Sequence, residues 1–246
     1  DRAQADQAIV IVTGQPGILS GGYDLKVMTA SPQQAKDLVA AGSTLARRML
    51  AHPQPIIVAC SGHAVAKGAF VLLSADYRIG AEGAFSIGLN EVQIGMTMHN
   101  VGITLARDRL TPMAYQRSVV CAEMFNPQGA LAAGFLDQVV PAEQLMASAL
   151  EVAQRFKKLN PGAHAATKLK VRRALLEVLD AGIEADRIAA RGLRGRQFRL
   201  LQRPCRWRDM GEMLVRHRHG DAQAGRIAEI MAVGPLIDLG APEHRP

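Results

Sequence analysis

Two short β-branched runs constrain this chain more than anything else in it. Ala8 to Val12 (AIVIV) and Pro55 to Cys60 (PIIVAC) are apolar without alternation. A strand with one wet face alternates apolar and polar residues, whereas a strand covered on both faces has no reason to. Both runs therefore predict strands inside a covered sheet, and the covering layers must be helices. Their start signals are visible. Ser31-Pro32, Thr111-Pro112 and Asn126-Pro127 each set a capping side chain before a proline at the first helical position. The first of these helices runs to His52-Pro53, with Ala35, Leu38, Val39, Leu45, Met49 and Leu50 on its apolar face. Gly68 to Ser74 is apolar all round and predicts a short buried helix.

Further strands are expected at Asp76 to Ile79 and Leu136 to Val140, the latter closed by Pro141. A helix then reaches about Leu159, and Pro161 opens another to about Asp186. Gln15 to Tyr23 reads as a Gly-rich loop, and Ser61-Gly62-His63 as a turn. The fold class is α/β with a helical C-terminal part. Residues 1–140 form the core, 141–186 a helical region, and 187–246 a basic tail of different character.

A chain of 246 residues that is 48% hydrophobic has enough material for one large core. Aromatics are only 4%, so aliphatic residues and Met must fill that core. No apolar run approaches the ~20 residues that span a bilayer. The first residues lack the basic and apolar pattern of a secretory signal. Cys60, Cys121 and Cys205 are odd in number and have no metal-ligand spacing, so reduced thiols in a cytoplasmic protein, and no metal, are expected. The net charge of +7 is local. Ten arginines face only Asp209 and Glu212 between Arg187 and Gly220, while residues 1–186 hold 17 basic and 16 acidic groups. Phe198 and Trp207 are too few to make that segment a stacking platform, which argues against a nucleic-acid partner.

Two Gly-rich segments carry a family resemblance. Gly17 to Met28 (GILSGGYDLKVM) is similar to the crotonase superfamily pattern of Ser/Ala-Ala/Gly-Gly-x-Asp-Leu and a basic residue. Ser61 to Asp76 (SGHAVAKGAFVLLSAD) resembles that family's Gly-x-Ala-x-Gly-Gly-Gly, apolar helix and Asp, with Gly62, Ala64, Gly68 and Asp76 in place. Phe85 to Gly95 and Gly134 to Pro141 resemble two later family stretches, the first with a short insertion. The resemblance covers roughly residues 7 to 186 and implies a spiral of β-β-α units. It also implies a homotrimer or hexamer built through the C-terminal helices. Family members usually have further strands and a helix ahead of the Ala8 strand, so that strand is expected to lie at a sheet edge.

The resemblance implies chemistry on a coenzyme A thioester, with CoA brought in by the substrate and no other cofactor. The enolate oxygen would be held by the backbone N–H groups of Tyr23 and Lys67, the latter at the start of a buried helix whose dipole favours an anion. Side-chain identity is secondary for backbone donors. Lys67 stands where the family commonly has Gly, and its chain is expected to find a way to solvent. Gly22, Asp24, Leu25, Lys26, Gly68 and Met96 are the expected substrate-binding neighbours.

Hydratases of the family use two glutamates. Here Phe70 stands at the first position and Glu91 at the second, which matches an isomerase in which one carboxylate moves a proton. An apolar pocket would raise the pKa of Glu91. Asp24 reads as a cap, Asp76 as structural, and His63 and His99 as turn or pocket-lining residues. Met28, Met96, Met98, Val101 and Leu105 fit either an acyl pocket or the core. Two other readings stand beside the enzyme: a non-catalytic acyl-CoA-binding protein, and a nucleic-acid-binding protein that uses the Arg-rich segment.

Overall fold

The computed structural model describes residues 2–192. After a short helix, α1 (Arg2–Ala5), come β1 (Val10–Thr13), β2 (Gly17–Ser20), α2 (Leu25–Ala30) and α3 (Pro32–Ala51). A second round follows with β3 (Ile56–Cys60), β4 (Gly62–Val65) and α4 (Lys67–Leu73). A third has β5 (Tyr77–Ala81), β6 (Ile87–Gly88) and α5 (Asn100–Arg109). Then come α6 (Pro112–Val119), β7 (Met124–Phe125), α7 (Pro127–Ala133), β8 (Gln138–Val140), a 3-10 turn, α8 (Leu145–Lys157) and α9 (Pro161–Gly192).

The first strands of successive rounds line up as one parallel sheet, β1-β3-β5-β8. The second strands line up as another, β2-β4-β6-β7, with β7 antiparallel. Each round therefore adds one strand to each sheet, which is the β-β-α spiral. The three Pro-marked helices start where their caps predict, with Ser31, Thr111 and Asn126 each accepting from a backbone N–H in the first turn. β3 is buried at every residue, as its unbroken apolar run requires. β1 lies at the edge of its sheet, paired only with β3 among the described residues.

The segment read as a loop over Gln15 to Tyr23 contains β2, and the segment read as a turn at Ser61 to His63 leads straight into β4. Their glycines are there for contact: Gly62 packs so tightly on Gly17 that a Cβ would come within 2.0 Å of its carbonyl oxygen. On α3, Leu38, Val39 and Leu45 are only half-buried, while Gly42 and Ser43 share the buried face. The last helix continues past Asp186 to Gly192, so Arg187 belongs to it and pairs with Glu184. The rest of the expected basic tail, with Cys205, lies outside the described residues. No helix among the described residues is long and apolar enough to cross a membrane.

An ionic knot ties α9 to the start of β3. Asp76 accepts from the Ile56 amide at 2.7 Å and from Lys168 Nζ at 2.6 Å, and its other oxygen meets Arg172 at 2.9 Å. Arg172 also donates to the Leu50 carbonyl, closing the end of α3 into the same knot. The structural reading of Asp76 is what these contacts describe.

Candidate active site

The site forms where β2 and β4 end. These strands are parallel neighbours, so the turns after them, at Gly22-Tyr23 and Ala66-Lys67, come out side by side. Gly22 has φ +109°, and a Cβ there would sit 3.3 Å from the Ala66 Cβ and 3.8 Å from the Lys67 amide nitrogen. The two turns are thus in contact. The Tyr23 amide lies in neither helix nor strand, and the Lys67 amide opens α4; neither has an acceptor among the described residues. Two backbone donors without acceptors on touching turns are groups that an anionic oxygen could use.

Ala66, between β4 and α4, has φ +52° and ψ −116°, a conformation that favours glycine. Its side chain carries backbone strain of about 1–3 kcal/mol, partly offset by the lower entropy of an unfolded Ala relative to Gly. Ala66→Gly is expected to stabilise the protein by about 1 kcal/mol in urea unfolding. A loss of stability would show that this turn is relaxed as it stands.

Tyr23 and Lys67 both send their side chains to one point on α3. A Cβ at Gly42 would fall 2.1 Å from the Tyr23 hydroxyl, so only glycine leaves room for the ring. The same residue's carbonyl accepts from Lys67 Nζ at 2.5 Å. Lys67 is 2% exposed, so the expectation that its chain reaches solvent is wrong. The bare backbone of Gly42 gives the ammonium a partner inside the protein instead. Burial pulls the Lys67 amine down to about 7.

Glu91 is 6% exposed, and its Oε2 has no partner among the described residues. Burial pushes its carboxyl up to about 7, with a backbone hydrogen bond opposing. Burial first, and then the nearby Glu91 charge, push the Tyr23 phenol up, which keeps it a neutral hydroxyl beside that carboxyl. Phe70 is fully buried, with its ring edge-on to His99 at 5.2 Å between centroids. Burial takes the His99 imidazole down to about 4; Asp186 opposes that and Lys67 adds to it. So weak a base stays neutral, packed against Phe70.

The other expected site residues divide. Gly22 is in the turn, and Gly68 packs on Ser20, where a Cβ would meet the carbonyl oxygen at 2.4 Å. Asp24 caps α2, accepting from the amides of Lys26 and Val27. Leu25 and Lys26 are exposed on that helix. Met96 is half-buried, and its amide donates to the Glu91 carbonyl at 2.8 Å, which fixes the turn that carries the glutamate. His63 accepts from the Ser86 amide, a structural contact. Met28, Met98, Val101 and Leu105 are buried. Gly42, Gly102 and Asp186 went unnoticed in the sequence. Gly102 leaves room for Phe70, Met98 and His99, and Asp186 accepts from the first amides of α5. An apolar cleft of about 470 Å³ opens elsewhere, between β1 and the end of α3, and meets this region only through Ser20 and Gly21.

The family model for enoyl-CoA hydratase/isomerase matches residues 2–191. The chain belongs to this family. Human mitochondrial enoyl-CoA delta isomerase 1 is 30% identical over 182 residues, which are 73% of this chain and 60% of that protein. Carnitinyl-CoA dehydratase of Proteus mirabilis is 30% identical over 161 residues, 65% of this chain and 61% of its own length. The chain thus spans about three fifths of these curated relatives. Among solved structures, an enoyl-CoA hydratase/isomerase family protein from Pseudomonas syringae is 72% identical, with a TM-score of 0.75 over 76% of this chain and 81% of that one. Human mitochondrial delta3-delta2-enoyl-CoA isomerase superposes with a TM-score of 0.74 at 27% identity, covering 87% and 83%.

Proposed function

We propose that this enoyl-CoA hydratase/isomerase family member shifts or forms a carbon–carbon double bond in an acyl-CoA through an enolate. The reading rests on one observation above all: a buried carboxyl, Glu91, with a free oxygen and a pKa near 7, in a site with two unpaired backbone donors. The thioester oxygen accepts from the Tyr23 and Lys67 amides. Glu91, ionised, takes a proton from the α- or γ-carbon, and charge flows onto the thioester oxygen. The same carboxyl returns the proton at the other carbon, so the double bond moves and nothing is added. Losing one such donor typically costs about 3 kcal/mol of transition-state stabilisation.

Phe70 favours isomerisation over hydration. A phenyl ring neither orients water nor carries a proton, and its packing on His99 fills the position where a second carboxyl would stand. The scheme uses the CoA thioester and this chain's own groups. We further propose that the C-terminal helices mediate a homotrimer or hexamer, because Val171 and Val178 on α9 are 76% and 57% exposed.

Enolate formation is testable without knowing the natural acyl chain. In deuterated water a saturated short-chain acyl-CoA should exchange its α-hydrogens only in the presence of the protein. The rate should rise with pH through about 7 and then level off, since only ionised Glu91 takes a proton. Tight binding with no exchange at any pH would leave an acyl-CoA-binding protein and exclude the enzyme.

A further inference from the structure

The turn that carries Glu91 hangs between two anchors. It spans residues 89–99, from the end of β6 to the start of α5. At the first end, β6 is paired on both sides, with β4 and β7. At the second, α5 begins without a local cap: His99 holds the capping position, and its side chain makes no capping hydrogen bond. The first amides of a helix need acceptors from elsewhere. Here they come from α9. One oxygen of Asp186 accepts from the Asn100 amide at 2.9 Å and from its side-chain nitrogen at 2.7 Å, and the other accepts from the Val101 amide at 3.2 Å. A carboxylate at this end of a helix also suits the helix dipole.

Contacts lead from that cap to the glutamate. One turn before Asp186, Gly182 lets α9 close on α5, since a Cβ there would lie 3.3 Å from the Asn100 Cβ. The first turn of α5 packs back on the turn before it: a Cβ at Gly102 would lie 2.8 Å from Met98 Sδ and 3.0 Å from the His99 ring. Met98 is buried. From there the chain runs back to Met96, whose amide holds the Glu91 carbonyl at 2.8 Å. Nearby acids of α9 point elsewhere: Asp180 pairs with Arg47 on α3, and Glu184 with Arg187. Asp186 turns to the site instead.

We propose that Asp186 is a positioning residue for the reaction: from α9 it holds the turn that aims Glu91 and keeps water from it. The inference rests on Glu91 being the base, as proposed above. Burial is what holds that carboxyl at about 7. A turn freed at its α5 end admits water and lets the carboxyl fall toward its ordinary range.

The test follows α-hydrogen exchange of saturating butyryl-CoA in deuterated water as a function of pH. Asp186→Ala should lower the maximal rate by roughly 10–100-fold. It should leave the calorimetric Kd for butyryl-CoA nearly unchanged and move the pH midpoint of the rate below that of the wild type. Asp186→Asn keeps an oxygen for the Asn100 amide, so it should recover most of the rate and the midpoint. Asp180→Ala removes the contact of α9 with Arg47 and should leave both as they are. A rate and midpoint in Asp186→Ala equal to those of the wild type would overturn the proposal. An equal loss in Asp180→Ala would do so too, because the effect would then be one of general stability. The wild type supplies a check that needs no variant to fold: its Asn100 and Val101 amides should be protected from hydrogen exchange, and fast exchange there would mean that Asp186 does not cap them. No α-hydrogen exchange in the wild type would remove the enolate reading and this inference with it, whereas exchange that survives in Asp186→Ala removes this one alone.

Discussion

Glu91→Gln should lower kcat on a 3-enoyl-CoA by roughly 10²–10⁴-fold while changing the Kd for a saturated acyl-CoA only slightly. An amide has the shape of the acid but cannot take the proton. The same variant should be more stable than the wild type at pH 8. The carboxyl's pKa is about 7 in the fold and 4.5 when free. The folded state therefore holds its proton more tightly, and stability falls as the pH climbs from 4.5 toward 7 and the group must ionise inside the protein. The difference is worth about 3 kcal/mol at pH 8 and vanishes below pH 4.5. Urea unfolding of both proteins at pH 5 and pH 8 measures it. Equal stability at both would mean that Glu91 sits in water, and the proposed base would lose its rationale.

Asp76→Ala should remove about 3–5 kcal/mol of stability, because it strands a buried cation, Lys168, and a half-buried one, Arg172, rather than deleting an isolated contact. Lys168 and Arg172 would be left facing each other, and the Ile56 amide would lose its acceptor. For a domain of this size that is a fall in Tm of roughly 10 °C. Replacing Lys168 and Arg172 by Met in the same background should recover much of the loss, since apolar residues carry no charge to strand. A fall of a degree or two in thermal unfolding would show that water already reaches the knot.

The sequence revealed those parts of the fold that are written locally. A side-chain cap followed by proline marks three helix starts, and unbroken β-branched runs mark β1 and β3. β2, β4, β6 and β7 are two to four residues long, and the first three contain glycine, so their strand character comes from pairing and cannot be read from any one segment. α5 has no proline and holds Gly102 and three charged residues, and its N-terminus is capped from α9 by Asp186. At the site, the turns at Gly22 and Ala66 were legible through the resemblance of the two Gly-rich segments that hold them; the positive φ of Ala66 was not, because alanine does not announce it. The fate of the Lys67 chain was not, because it depends on a glycine 25 residues earlier on another helix. Burial of Glu91 was expected from an apolar pocket. Its approach to Tyr23 depends on how two separate turns pack.

The parallel pairing of β2 with β4 has a consequence for how such a protein diversifies. The proposed oxyanion donors are peptide groups whose positions follow from strand register, so a change of side chain at the residues that carry them leaves the donors in place. The side chains at 23 and 67 both run to Gly42 on α3, and their fit is a matter of packing there. The contact with α3 and the proposed donors thus sit on the same two residues yet can change independently.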